Sequence, residues 1–321
     1  MSNSPATFSY AASPFDHPQA DVILRSSDNI DFRVFKLFLS LASPVFETMF
    51  GLPQPSEGAD PDEETKDGLP VVSVPEGSKT LDALLRFCYP STLAEDPSLD
   101  GFMFATEILE ATKKYSLDAI ERIVCKALFV PKILEVDSLP CFAVARRADL
   151  QEKCVLAAKY SLREPLIPAR FEGIEFISST DLLALLTYHK NCANAILALQ
   201  SDLVWIENHY RQFSAISWMF GCGSCTAPRS GKYRLFRKEV ASWWEDFMNE
   251  TFVEVRDRPC AQTVEKGAEE AIRKFRAQYR CSGCSSVVSG GIQEFVKLFT
   301  NQMEEVTAKV SSSHLRVLAH K

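Results

Sequence analysis

Two pairs of cysteines with metal-ligand spacing lie in the last third of the chain. They are Cys222-Gly223-Ser224-Cys225 and Cys281-Ser282-Gly283-Cys284. A CxxC turn lets two thiolates reach one ion, and two such pairs complete the tetrahedral sulfur site that zinc prefers. The 55 residues between Cys225 and Cys281 exceed the ~15–20 of common zinc ribbons. The spacing therefore predicts a structural Zn²⁺ clasp that joins distant segments, with Cys222, Cys225, Cys281 and Cys284 as ligands.

Two other interpretations of these cysteines stay open. Buried, reduced thiols would have the same sequence, and a redox-active CxxC is typical of a thioredoxin-like βαβ context that this chain lacks. His189 and Cys192 lie three residues apart on a predicted helix. They are substitute ligands if the two pairs do not meet.

The chain carries no catalytic motif. It contains no Walker A run, Rossmann glycine fingerprint, HExxH or GxSxG. His189 and Cys192 could pair for nucleophilic catalysis, but a histidine and a cysteine on one helical face are far more often core or surface residues. We therefore expect that the protein is not an enzyme.

Composition excludes two further classes of function. The chain has 321 residues, a formal net charge of −7 and an isoelectric point near 5.4, which argues against a dedicated nucleic-acid binder. One basic cluster stands out and is predicted to be a solvated loop and helix start; it comprises Arg229, Lys232, Arg234, Arg237 and Lys238.

No apolar run reaches the ~20 residues of a membrane helix, and the first 20 residues do not resemble a signal peptide. The ten cysteines are therefore expected in the reducing cytoplasm or nucleus.

The elements that precede the cysteines are clearest between Asp21 and Gly51. An apolar run at 21–25, turn residues at 26–29 and the alternation of Ile30, Phe32 and Val34 predict a β-hairpin. From Leu37 the period becomes helical, and Leu37, Phe38 and Leu41 share one face. Ser43 is a predicted N-cap for a second helix, with Pro44 at its first position.

This order of elements resembles the start of a BTB/POZ domain, and the resemblance continues to residue 130. The family pattern L-x-x-x-S-x-x-F matches residues 39–46, a third strand follows at 71–74, and L-x-x-L-L-x-x-x-Y matches residues 81–89. Two helices from Phe102 and Leu117 resemble the closing pair of the family. The resemblance implies an α+β fold, with a small β-sheet capped by helices at 21–130. The residues expected in its core are Phe32, Leu39, Phe46, Leu84, Leu85, Ile108 and Ile120.

The resemblance also implies a function, and the chain departs from the family pattern in two places. BTB domains bind other proteins, and many recruit substrates to cullin-type ubiquitin ligases as adaptors. Such adaptors carry a hydrophobic-x-Glu triplet after the second helix; Pro55-Ser56-Glu57 is a partial match. Phe35 stands where many members have histidine. Prolines 5, 14 and 18 interrupt the extra N-terminal helix of homodimeric members, so a tight domain-swapped homodimer is not expected.

The rest of the chain divides into polar segments and helical regions. Residues 1–20 are predicted to be a disordered lead-in, and residues 52–69 an acidic loop. Residues 131–211 predict a helical extension that loosely resembles the BACK region of Kelch-type adaptors. Residues 212–321 predict a helical region with the paired CxxC motifs, interrupted at Ser289-Gly290-Gly291.

The whole plan resembles the uncharacterised fungal BTB-domain proteins. The favoured function is a protein interaction module or adaptor, with a cullin as one candidate partner. The alternative is a zinc-stabilised nuclear regulatory protein that acts through its C-terminal region.

Overall fold

The computed structural model of the protein describes residues 9–52, 65–220, 229–278 and 282–318. The chain forms two compact units. The first unit runs to Ile133 and takes in Arg147–Asp149, and the second comprises Leu134–Arg146 and the chain from Leu150 onward.

The first unit combines a mixed β-sheet with a set of helices. Its strands are β1 Ser9–Tyr10, β2 Val22–Arg25, β3 Ile30–Val34, β4 Thr65–Lys66 and β5 Leu69–Ser73. Its helices are α1 Lys36–Ala42, α2 Pro44–Gly51, α3 Ser78–Cys88, α4 Phe102–Lys114 and α5 Asp118–Leu128; the short α6 Pro131–Leu134 follows. The strand order is β1-β3-β2-β5-β4. The β2–β3 and β4–β5 pairs are antiparallel, whereas β1–β3 and β2–β5 are parallel.

The core of the first unit confirms the predicted set of buried residues. Phe32, Leu39, Phe46, Leu84, Leu85, Ile108 and Ile120 are all at most 4% exposed. The predicted cap of α2 is also present. The Ser43 hydroxyl accepts the Phe46 N–H at 3.1 Å and donates to the Tyr115 carbonyl at 2.5 Å. The cap therefore joins the start of α2 to the end of α4, where the Phe46 and Tyr115 rings stack at 4.7 Å.

Residues 9–20 correct the prediction of a disordered lead-in. Ser9 and Tyr10 pair with Ile30 and Asp31 as strand β1, and Phe15 is fully buried. Phe15 packs on Phe32 and Tyr89, with ring centroids 5.7 and 5.3 Å apart. An aromatic side chain with two such partners holds the segment against the sheet. Residues 1–8 lie outside the described part of the chain.

The predicted acidic loop at 52–69 also ends differently. Residues 53–64 lie outside the described part of the chain, but Thr65–Lys66 is strand β4, which pairs back on β5. Asp67 and Gly68 form the turn, both with positive φ of 55° and 77°. An Asp-Gly turn of this kind matches the twist of a two-stranded hairpin.

The second unit is mainly helical. Its helices are α7 Ser138–Arg147, α8 Gln151–Tyr160, α9 Ser179–Ser201, α10 Val204–Tyr210, α11 Ser242–Asp257, α12 Ala261–Gln278 and α13 Ser282–Leu318. Three 3₁₀ segments lie at Ser161–Arg163, Ile174–Phe176 and Phe213–Phe220, and one hairpin is formed by β6 Arg229–Leu235 and β7 Lys238–Ala241. The predicted boundary at 211/212 does not separate two cores. Ile196 on α9 belongs to the same buried cluster as Trp244 on α11 and Phe295 on α13.

Two predictions for this unit are wrong. Helix α13 runs without interruption through Ser289, Gly290 and Gly291, because Gly291 packs closely against Trp218 inside the core. The basic cluster is a β-hairpin and not a loop with a helix start. Tyr233 and Leu235 alternate with exposed cations and are buried, which is the period of a half-buried strand.

Candidate interaction surface

Helix α1 of the first unit presents two leucines to solvent. Leu37 is 63% exposed and Leu41, one turn further along the helix, is 78% exposed. Their neighbour Leu39 is fully buried, so α1 is held by its other side. We call Leu37 and Leu41 the leucine face.

The remaining side chains of α1 and its flanks fix the direction of this face. The Lys36 N–H in the first turn donates to the Asp21 carboxylate at 2.7 Å. The Phe38 ring meets Tyr89 edge-on at 4.9 Å, and the Tyr89 hydroxyl accepts the Phe35 N–H at 3.1 Å. Burial raises the pKa of Tyr89 to about 12, so the hydroxyl stays neutral at physiological pH. The leucine face therefore stands on an anchored helix.

Phe35 occupies the position where the family resemblance expects histidine. Its ring is half-buried and lies 5.6 Å from Phe38 and 5.3 Å from the ring of His17. The site is filled by aromatic contacts. A histidine is thus present beside the site, although it comes from the segment before β2.

The sheet of the first unit carries a buried ionic cluster that sequence alternation did not indicate. Asp31 is fully buried; it accepts hydrogen bonds from Arg25 Nε at 2.6 Å and Lys66 Nζ at 2.6 Å. Burial alone raises the pKa of Asp31, but the hydrogen bonds from Arg25 and Lys66 more than offset this, so the pKa lies below its ordinary value. The Lys66 ammonium also lies 4.2 Å from the Tyr10 ring. The cluster joins β1, β2, β3 and β4.

Most of the predicted site residues lie outside the described part of the chain. These are the partner-binding triplet Pro55, Ser56 and Glu57, and the metal ligands Cys222, Cys225 and Cys281. Cys284 is described and buried in the first turns of α13. Within the described ranges, no three His, Cys, Asp or Glu side chains group as they would around a metal ion.

His189 and Cys192, the substitute ligands, are both core residues of α9. Cys192 is fully buried and His189 is 4% exposed. Burial lowers the pKa of His189 and raises the pKa of Cys192 to about 11. The His189 Nε2 lies 3.0 Å from the Glu164 carbonyl oxygen. At neutral pH the pair is a neutral imidazole and a neutral thiol, which suits packing and not nucleophilic attack.

In the described part of the chain, no helix is both long enough and apolar enough to cross a membrane.

The comparisons with known proteins agree with the geometry of the first unit. Residues 14–130 match the family model of the BTB/POZ domain. The matched range begins next to the buried Phe15. No curated protein matches the chain. The first unit therefore contains a BTB/POZ domain, a non-catalytic module that binds other proteins. The mainly helical second unit completes an α+β chain.

Proposed function

We propose that this chain is an adaptor that binds a partner protein through the leucine face of α1. The observation that carries this proposal is the exposure of Leu37 and Leu41, at 63% and 78%. The other side of the same helix is already packed, since Leu39 is fully buried and Phe38 contacts Tyr89. Residues four positions apart lie one turn apart on the same side of a helix, and helices that bind a partner place their hydrophobic contact residues at this spacing.

The energetics indicate the size of that partner surface. Covering both side chains contributes ~3–6 kcal/mol in total, at ~1.5–3 kcal/mol for each leucine. Association itself costs at least ~4 kcal/mol in lost freedom of movement. The leucine face is therefore the centre of a larger contact, of the ~800 Å² per partner that stable protein interfaces bury.

A matched pair of variants tests this proposal. The full chain with Leu37→Ser and Leu41→Ser should lose the proteins that co-purify with the unchanged chain, as quantified by mass spectrometry. Leu183→Ser is the control, because Leu183 is a comparably exposed leucine (65%) on α9 of the second unit. Identical sets of partners for all three proteins would contradict the proposal.

A narrower form of the proposal is that the partner is a cullin-type scaffold, to which the adaptor brings a substrate for ubiquitin transfer. Its support is the BTB/POZ match and the triplet Pro55-Ser56-Glu57. Calorimetric titration of the purified chain against a panel of purified cullins should find one that binds with a micromolar or lower dissociation constant. Glu57→Ala should weaken this binding. Glu95→Ala, at an exposed glutamate outside the triplet, should not. If the chain binds no cullin in the panel, the cullin proposal is rejected, whereas the proposal of a protein partner at the leucine face is not affected.

A second copy of this chain is the other partner that can bind the leucine face. Residues 9–20 contain the two-residue strand β1 and no helix, so this segment does not supply the helix that homodimeric members of the family add. We expect a monomer at nanomolar concentration and weak association at most above it. Sedimentation that shows a tight dimer at nanomolar concentration would contradict this expectation.

A second candidate function is that of a zinc-stabilised nuclear regulatory protein. The supporting observation is the contact between Trp218 and Gly291. Cys284 lies seven residues before Gly291 on α13, which is two turns and about 10 Å along the same side of the helix. Cys222 follows Trp218 by four residues, a distance that an extended chain spans in at most ~14 Å. Chain segments leading to both CxxC pairs thus start from one region of the second unit, which supports a shared metal ion.

A further inference from the structure

The turn of the β6–β7 hairpin has an unusual backbone. Phe236 and Arg237 have φ values of 47° and 63°, the left-handed region that glycine adopts easily and other residues rarely do. Two contacts offset this strain. The Phe236 N–H donates to the Glu207 carboxylate at 2.6 Å, and the Phe236 side chain packs on the core of the second unit. The turn therefore holds the backbone of Arg237 in a defined position.

This turn forms one side of a recess with a volume of about 490 Å³. The other side is the 3₁₀ segment Phe213–Phe220. The recess is lined by Phe213, Ser217, Phe220, Arg234, Arg237 and Lys238, together with one acid, Glu239.

The charges in this recess are not balanced. Arg234 is paired with Glu239 at 2.9 Å, which uses the one acid. The Lys238 ammonium lies 3.8 Å from the centroid of the Phe213 ring, which orients it by a cation–π contact. Within the described ranges no carboxylate pairs with Lys238 or Arg237. Two cations therefore face one recess without a counter-charge, in a chain whose net charge is −7.

We propose that this recess binds a phosphoserine or phosphothreonine side chain of a partner protein. A phosphate monoester carries nearly two negative charges at neutral pH and three acceptor oxygens, which match an arginine, a lysine and the Ser217 hydroxyl. The guanidinium of Arg237 can donate two parallel hydrogen bonds to such a group. The half-buried Phe213 ring, which packs on the buried Phe220 at 4.7 Å, offers apolar contact to the flanking peptide.

Nucleic acid fits the same recess less well. Binding to a duplex neutralises many phosphates along a basic stripe, whereas here two cations lack a counter-charge and converge on one concave site. The inference concerns the second unit and does not depend on the leucine face of the first.

Fluorescence anisotropy with the full chain tests this inference. The probes are a fluorescein-labelled pool of peptides with a central phosphoserine and random flanks, the same pool with serine, and a short DNA duplex. We expect the phosphorylated pool to bind at least about tenfold more tightly than the serine pool. Arg237→Gln and Lys238→Gln should each weaken its binding by about tenfold, since each removes charge-assisted hydrogen bonds.

Arg273→Gln is the control, because Arg273 is an exposed cation on α12 of the same unit, and it should change affinity less than twofold. Equal affinity for the two peptide pools would overturn the inference. An equal loss of affinity for the phosphorylated pool in the Arg273 and Arg237 variants would overturn it as well. Tighter binding of the duplex than of the phosphorylated pool, with loss of that binding in the Arg237 variant, would overturn it in favour of a nucleic-acid site.

Discussion

Gly291 lies directly against the indole ring of Trp218: a Cβ atom built at Gly291 would stand 2.5 Å from two ring atoms. Real side chains essentially never approach so closely, so the close packing of α13 on the segment Phe213–Phe220 requires glycine at this position. A Cβ atom built at the neighbouring Gly290 would have no other atom within 4 Å. Two adjacent glycines on one helix therefore have different roles.

This relationship predicts opposite effects for two adjacent substitutions. Gly291→Ala should destabilise the second unit by ~1–3 kcal/mol, the usual cost of overpacking a core. Gly290→Ala should stabilise it by ~0.5–1 kcal/mol, because alanine has the higher helix propensity and the site is open. All four tryptophans belong to the second unit, so denaturant unfolding followed by tryptophan fluorescence measures this unit selectively. Equal effects of the two substitutions would contradict the proposed contact.

The core of the BTB/POZ domain makes a second prediction. Leu84 on α3 is 3% exposed, whereas Leu37 on α1 is 63% exposed. Leu84→Ala should cost ~2–5 kcal/mol, as large-to-small core changes do, and Leu37→Ala should stay within ~0.5 kcal/mol. Amide hydrogen exchange of peptides from β2 and β3 reports on the first unit. Unchanged exchange in the Leu84 variant would reject the assignment of this core.

Much of the first unit could be predicted because local and long-range signals agree there. The alternation of Ile30, Phe32 and Val34 gave the strand, and Ser43-Pro44 gave the start of α2. The orientation of α1 could not be predicted, because the run Lys36–Ala42 has apolar residues on every side. Leu37 and Leu41 share a face as expected, yet that face is exposed, and packing of Leu39 decides this.

The remaining differences have identifiable physical causes. Strand alternation placed Asp31 on the solvent side, but Arg25 on the paired strand β2 and Lys66 from the more distant β4 compensate its burial. Asp67-Gly68 is a hairpin signal that marks β4, and it was hidden by the acidic composition around it. Helix propensity predicted a break at Gly290-Gly291, whereas tertiary packing against Trp218 keeps the helix continuous. The contacts of Lys66 with Asp31 and of Trp218 with Gly291 join residues far apart in sequence, so no local pattern reveals them.

Asp31 supports a prediction about substitution and pH. Asp31→Asn should cost ~3–5 kcal/mol, because it removes one charge of the buried Arg25–Asp31 ion pair. Since the pKa of Asp31 is lowered in the folded state, its stabilising contribution is complete above the unfolded pKa of ~3.9. It is lost as pH falls through the lower, folded pKa.

Hydrogen exchange of β2 and β3 between pH 7 and strongly acidic conditions measures both effects. The unchanged domain should lose stability as the pH falls below ~4. The Asn variant should begin with lower stability and lose less of it over that range. The control is Asp118→Asn, which alters an exposed aspartate in the first turn of α5. Parallel pH curves for the Asp31 variant and the unchanged protein would contradict the role assigned to this carboxylate.

The cysteine pairs give the last prediction, which concerns metal content. If Cys222, Cys225, Cys281 and Cys284 share one Zn²⁺, protein purified without chelator should contain about one equivalent, because structural zinc binds tightly enough to survive purification. Cys222→Ser should lower the zinc content and loosen the second unit, as seen in tryptophan fluorescence, while hydrogen exchange in β2 and β3 stays unchanged. Cys260→Ser is the matched control, since Cys260 is a half-buried thiol of the same unit outside both pairs. Less than about a tenth of an equivalent of zinc in the unchanged protein would favour reduced thiols and end the zinc proposal.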